Sequence, residues 1–378
     1  MWKKILAGLG VVLLLIAAAA VWLWSLIDSS QAETDFSTSK AAQIAYLQQP
    51  LALAGQAGVK PRGKVLAVVT STAFYPPEVV EGKTKKTGYE LTELSRFYWL
   101  LLANGFAVDI ASPLGGDAPR VLDDDDMAEF DYAFLNDATA MQKARNTLKL
   151  AEVNPADYQA IYFVGGKGAM FDFPQDPHIA RLVQAMVAQQ KLVLAVCHGP
   201  AALALLTNTD GTSWLQGKKV TSFTNAEELL LLPDAANRFP FLLQSKLEQQ
   251  GAVFTEGPRY LPNLVIDGQL ITGQNPWSVW QLAEAAVRAL GVEPLPRQAT
   301  AEERTMQLLQ THQSLGLEQA QRQIDDLLAQ GPLQRNLVLM MALVSGMAGD
   351  WTQGTSLLRL TQQIKTQQIN TQQQDQQQ

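Results

Sequence analysis

A continuous apolar run, Leu192-Val193-Leu194-Ala195-Val196, passes directly into Cys197-His198-Gly199-Pro200. Apolar residues at every position mark a strand covered on both faces, the kind found in a parallel sheet with helices on each side. The chain's single cysteine comes next, with small residues two positions before and after it, Ala195 and Gly199. That spacing suits a sharp strand-to-helix turn, where strained backbone lifts a nucleophile above the sheet and the following helix packs closely. His198 is one of only three histidines. A thiol, an imidazole and a helix N-terminus are thus brought together by local sequence, and the last two favour a thiolate.

Further apolar runs alternate with amphipathic segments. Val65 to Val69 is of buried-strand type, Leu91 to Asn104 has helical periodicity and stops at Gly105, and Phe106 to Ala111 is a second strand. Ala160 to Val164, a helix over His178 to Gln189, and Leu192 to Val196 continue the pattern. Leu264 to Thr272 reads as a hairpin across Asp267-Gly268, and Trp277 to Leu290 as a closing helix. The expectation is an α/β fold, a mainly parallel sheet covered on both faces, with its site at the carboxyl ends of the strands.

The ends of the chain differ in kind. Lys3 and Lys4 precede an uncharged stretch from Ile5 to Ile27, long enough to cross a hydrocarbon core of about 30 Å. Its length favours an uncleaved transmembrane anchor over a signal peptide. The lysines would keep the N-terminus cytoplasmic and Trp22 and Trp24 suit the far interface, which places the main domain outside that membrane, periplasmic in a bacterium. The expected organisation is a membrane anchor over 1–30, a stalk over 31–59, the α/β domain over 60–292, an α-helical extension over 293–361 and a disordered Gln-rich tail over 362–378. Within the extension, Ala301 to Thr311, Leu317 to Gln330 and Leu337 to Met347 read as helices, offering a surface to a protein partner.

A net charge of −7 and the lack of a basic stripe argue against nucleic acid as a partner. Asp123 to Asp126 lacks the alternating spacing of a cation loop and reads as solvated. His178 and His312 stand away from any acid cluster. No metal or cofactor is expected. One cysteine permits no disulfide within the chain and leaves Cys197 open to oxidation.

Three segments belong beside the cysteine. Gly165-Gly166-Lys167-Gly168 follows a buried strand and lets backbone N–H groups approach a substrate oxygen, without the spacing of a nucleotide-binding loop. Glu90 and Glu93 share a face at the start of the first helix, where a carboxyl near the sulfur could exchange a proton with it. Taken alone, Glu90 reads as an ordinary first-turn acid. One of Glu227 and Glu228, after Thr221-Ser222-Phe223-Thr224, could orient His198 as a third triad member.

Four motifs together resemble the PfpI family, which includes DJ-one, glutamine amidotransferase-like hydrolases, and a glyoxalase III and heat-shock chaperone branch. They are Ala195-Val196-Cys197-His198-Gly199-Pro200, the segment from Gly165 to Pro174, Ser112-Pro113-Leu114-Gly115-Gly116, and Thr272-Gly273-Gln274-Asn275-Pro276. The resemblance covers about residues 60 to 292 and implies a flavodoxin-like three-layer sandwich. It implies Cys197 as nucleophile, His198 as its base, Glu93 as the carboxyl beside the sulfur and Glu228 as triad acid, with Glu227 as the fallback. Gly165, Gly166 and Lys167 would bind substrate, with the N–H groups of Gly166 and His198 as oxyanion donors. The branch usually has His where Lys167 stands, which changes the polarity of the pocket mouth.

The function implied is cofactor-independent conversion of a small carbonyl substrate, a dicarbonyl such as methylglyoxal, into a hydroxy acid. Two alternatives share the residues: a tethered chaperone or redox sensor using an oxidisable Cys197, and a Cys-His-Glu amidase or peptidase-like hydrolase. Related domains commonly form homodimers.

Overall fold

A computed structural model describes residues 17–18, 20–29, 35–54, 60–75, 85–123 and 126–375. The chain forms two compact units, Phe36–Arg297 and a second made of Gln298–Gln378 with the described residues before Phe36.

In the first unit, seven strands form one sheet: β1 (Gly63–Val68), β2 (Phe106–Ser112), β3 (Leu148–Lys149), β4 (Ala160–Phe163), β5 (Leu192–Val196), β6 (Leu264–Asp267) and β7 (Leu270–Gly273). Their spatial order is β6-β7-β5-β4-β1-β2-β3. Every neighbouring pair is parallel except β6 and β7, the expected hairpin, whose turn places Gly268 at φ 60°. The chain first winds outward from β1 to β3, then returns to lay β4 on the other side of β1. That reversal opens a crevice at the carboxyl ends of β1 and β4.

Alternate strand residues feed two separate cores, which makes the sandwich three-layered. Val65, Ala67, Tyr162, Leu194 and Val196 face one core, and Leu66, Val68, Phe163, Val193 and Ala195 the other. The first core is closed by α2 (Leu91–Ala103) and α5 (Val279–Ala289), the second by α3 (Pro177–Ala188). A short helix, α4 (Asn225–Leu231), precedes the hairpin.

Helix α2 was expected to show one apolar face, yet almost all of it is buried. The cause lies in the segment expected as a stalk. Residues 36–54 belong to this unit: α1 (Ala45–Ala54) packs on α2 and buries Leu47 in the first core, and the turn before it buries Ala41 and Ile44 there. Residues 31–34 and 55–59 of that segment lie outside the described residues. The unit also runs past 292, where Arg297 pairs with Glu284 at 3.0 Å and lies 4.2 Å over the Trp280 ring.

The second unit contains α6 (Ala301–Leu315), α7 (Leu317–Gln330), α8 (Arg335–Met347) and α9 (Trp351–Asp375). Thr300 and Glu303 form a capping box that starts α6. The Gln-rich tail expected to be disordered instead continues α9 to Asp375. Leu357, Leu360 and Ile364 recur at helical spacing and are fully buried, so their burial carries a run of good helix formers with it.

The membrane span expected over Ile5 to Ile27 is corrected. Among the described residues no helix is long and apolar enough to cross a membrane. Residues 5–16 lie outside the described residues, and the end of the stretch is held within the helical unit. Leu26 is fully buried, Arg335 donates to the carbonyls of Leu26 and Ile27 at 2.8 and 3.0 Å, and its guanidinium lies 3.6 Å from Asp28. The membrane partnership and the extracytoplasmic placement that rested on the span fall with it.

Candidate active site

Cys197 leaves β5 at φ 56°, a conformation few residues other than glycine adopt. Its backbone N–H donates to Gly273 O on the neighbouring strand at 3.0 Å. Gly199 is required by packing, since a β-carbon there would lie 2.2 Å from Phe163 O. The strained turn and the close approach are those expected of a nucleophile elbow. The segment after it, Gly199–Leu203, is a short 3-10 helix.

The thiol has the imidazole on one side. Cys197 Sγ lies 3.3 Å from His198 Nδ1, and His198 Nε2 lies 2.6 Å from Glu228 Oε2. With Nε2–H donating to the carboxylate, Nδ1 is left as the acceptor for the thiol proton. Burial pushes the Glu228 carboxyl up, and the charge and hydrogen bond of His198, with Lys167 further off, outweigh it and hold the group below its ordinary value. Glu228 is therefore an ionised partner for an imidazolium.

Glu227 does not reach the histidine. Its Oε2 accepts from the N–H and hydroxyl of Thr224, and its Oε1 from Tyr260 N, Gln274 Nε2 and Asn275 Nδ2. It ties the start of α4 to the chain leaving β7 and to Tyr260, itself at φ 57°. The Gln274-Asn275 motif is thus part of the scaffold under Glu228.

Glu93 reaches the thiol from across the crevice. It sits in the first turn of α2, is fully buried, and its Oε2 accepts from Gly165 N at 2.6 Å while its Oε1 has no partner. Burial, then the nearby Glu90 charge, push its carboxyl well above the usual range, against the hydrogen bonds from Cys197 and Gly165. A carboxyl raised in this way is suited to donating a proton. Gly165 is held so tightly that a β-carbon would lie 2.6 Å from Glu93 Oε2 and 2.8 Å from Cys197 Cβ.

Two expectations change here. The N–H of Gly165, expected to face substrate, is occupied by Glu93, so Gly165 positions the acid instead. Gly166, at φ 105°, and His198 bring the other expected donors to the ends of adjacent strands β4 and β5. A ready thiolate is also not what the site favours: burial, then the neighbouring Glu93 and Glu90 carboxyls, push Cys197 up, with Lys167 opposing them. The following helix is too short to supply a strong dipole.

Sequence reasoning undervalued Glu90. It is the N-cap of α2, and burial pushes its carboxyl up to about 7, with Lys167 opposing. It also missed an aromatic wall: the His198 ring lies 4.9 Å from Phe223 and 6.3 Å from Phe239, which packs 5.7 Å from Tyr75. Those aromatics are far apart in sequence and carry no motif. His178 has its backbone N–H on Asp176 at the start of α3, and His312 pairs with Ser356 in the helical unit. Asp124 and Asp125 of the acidic run lie outside the described residues.

A doubly covered, mostly parallel sheet with a Cys-His-Glu arrangement at an elbow and a buried acid facing it defines a class of cysteine-centred α/β proteins. Comparison with known proteins narrows it: the model of the DJ-1/PfpI family matches residues 85–289, and the chain belongs to that family. A glutathione-independent glyoxalase of Schizosaccharomyces pombe is 31% identical over 246 residues, covering 60% of this chain and 95% of the relative. Glyoxalase 3 of Candida albicans is 28% identical over 239 residues, covering 60% of this chain and 98% of the relative. Among solved structures, a rapid encystment protein of Francisella tularensis matches at 32% identity with a TM-score of 0.55, covering 60% of this chain and 99% of the other. The glyoxalase III structure from Candida albicans matches at 26% identity and a TM-score of 0.52, covering 60% and 97%.

Proposed function

We propose that the α/β unit is a glutathione-independent glyoxalase that converts 2-oxoaldehydes such as methylglyoxal to 2-hydroxy acids. The observation that carries this reading is the flanking of Cys197 by the His198 imidazole, 3.3 Å from Sγ, and by the buried Glu93 carboxyl, held on the N–H of Gly165, which packs against both Glu93 and Cys197. Relatives named as glyoxalases support the reaction class.

His198 takes the thiol proton as Sγ adds to the aldehyde carbon and passes it to the new alkoxide oxygen, giving a hemithioacetal and a neutral imidazole. Glu93 donates to the neighbouring ketone oxygen while His198 removes the proton from the former aldehyde carbon, giving an enediol. Return of that proton to the second carbon leaves a 2-hydroxyacyl thioester on Cys197 and restores the Glu93 proton. Water then adds to the thioester, the carbon–sulfur bond breaks, and the hydroxy acid leaves with the thiol regenerated. The N–H groups of Gly166 and His198 carry the oxyanion in the addition and hydrolysis steps.

Product analysis tests this. Incubation with methylglyoxal and no added thiol should yield lactate in equal amount to the methylglyoxal lost, and Cys197→Ser should abolish the yield. Loss of methylglyoxal into protein adducts without lactate would reject the reading.

A further inference from the structure

Lys167 stands between two glycines that are locked by packing. A β-carbon at Gly165 would lie 2.8 Å from Cys197 Cβ, and one at Gly168 would lie 2.6 Å from Thr70 Cγ2. The lysine side chain therefore leaves the backbone two residues after the glycine that packs on the nucleophile, in the turn that follows β4. It is half-buried, and its ammonium has no ion pair or hydrogen bond with a described residue.

Its acidic neighbours do not neutralise it by contact. Of the two acids that act on it, Glu228 is held by His198 at 2.6 Å, and no ion pair between described residues joins Glu90 to it. Glu228 and Glu90 act on Lys167 through space and hold its proton more tightly than in water, against the effect of burial. The site thus holds a half-buried cation in the neighbourhood of Cys197 and Glu228, with hydrogen-bond donors left to satisfy. A carboxylate on a bound substrate meets that need, because an ammonium–carboxylate hydrogen bond is stronger out of bulk water than a neutral one.

We propose that Lys167 makes the site selective for 2-oxoaldehydes that carry a carboxylate a short carbon chain away from the dicarbonyl. This rests on the glyoxalase reading. Such a substrate places its aldehyde carbon at Sγ and its carboxylate at the ammonium. A neutral 2-oxoaldehyde fills only the first of these positions.

The test uses the full chain and pairs that differ only in charge. Wild type is expected to favour 4,5-dioxopentanoate over its methyl ester by at least about tenfold in kcat/KM, mainly through KM. Lys167→Met should bring that ratio to about one, and Lys167→Arg should retain most of it. A ratio unchanged by Lys167→Met overturns the proposal. A second measurement needs no turnover: alkylation of Cys197 by iodoacetate and by iodoacetamide. The acid-to-amide rate ratio should fall at least about fivefold in Lys167→Met. A fall in that ratio without any turnover would reject the glyoxalase reading while upholding anion selection by Lys167. An unchanged alkylation ratio would overturn the selection, whatever the activity.

Discussion

His198 Nε2 lies 2.6 Å from Glu228 Oε2, whereas Glu227, one residue earlier on the same helix, makes no bond to the histidine. Consecutive helix positions are about 100° apart, so only one of the two carboxylates can face the imidazole. Glu228→Gln keeps the shape and removes the charge that holds the tautomer. It is expected to lower kcat/KM for methylglyoxal at least about 100-fold, with the fold intact by circular dichroism. A loss of less than about threefold would show that Glu228 has no orienting role.

Glu227 should matter through stability. Five donors converge on its carboxyl, from Thr224, Tyr260, Gln274 and Asn275. Glu227→Ala would leave them buried without an acceptor, and is expected to destabilise the α/β unit by roughly 3 kcal/mol or more. Urea unfolding measures the effect, and a midpoint equal to that of wild type would contradict the network drawn here.

The fold was largely legible because a strand buried on both faces leaves an unbroken apolar run, and because Gly105 and Asp267-Gly268 punctuate a helix and a hairpin. The elbow was legible for a related reason: close packing of Gly199 on Phe163 O demands small residues at fixed spacing. The choice of Glu228 over Glu227 was legible only through the family resemblance, since from the residues alone it turns on helix phase at the end of a loop. The packing of α1 on α2 was not legible, because a short helix with a weak apolar face reads as linker until its partner is known. The commitment of Gly165 N to Glu93 was hidden for the same reason, as it joins residues 72 positions apart across the sheet reversal.

A pH dependence follows from Glu90, whose carboxyl is raised by burial from 4.5 to about 7. Well below pH 4.5 it is protonated in both folded and unfolded chains and contributes no difference. Between 4.5 and about 7 the unfolded chain has released a proton that the folded chain keeps, so this group lowers stability as pH rises and levels off above about 7. Glu90→Gln lacks that loss. The stability of the variant relative to wild type should therefore rise across this window and then stay flat, as read by urea unfolding at a series of pH values. A difference that is constant with pH would contradict the buried-acid assignment.

In the proposed reaction Cys197 and Glu93 act together as nucleophile and acid on a 2-oxoaldehyde. Its most direct test is the rate of methylglyoxal loss without glutathione for wild type, Cys197→Ala and Glu93→Gln, all folded by the same thermal criterion. Turnover is expected in wild type, none in Cys197→Ala, and a fall of at least about 100-fold in Glu93→Gln. Full turnover in either variant would contradict the proposed reaction.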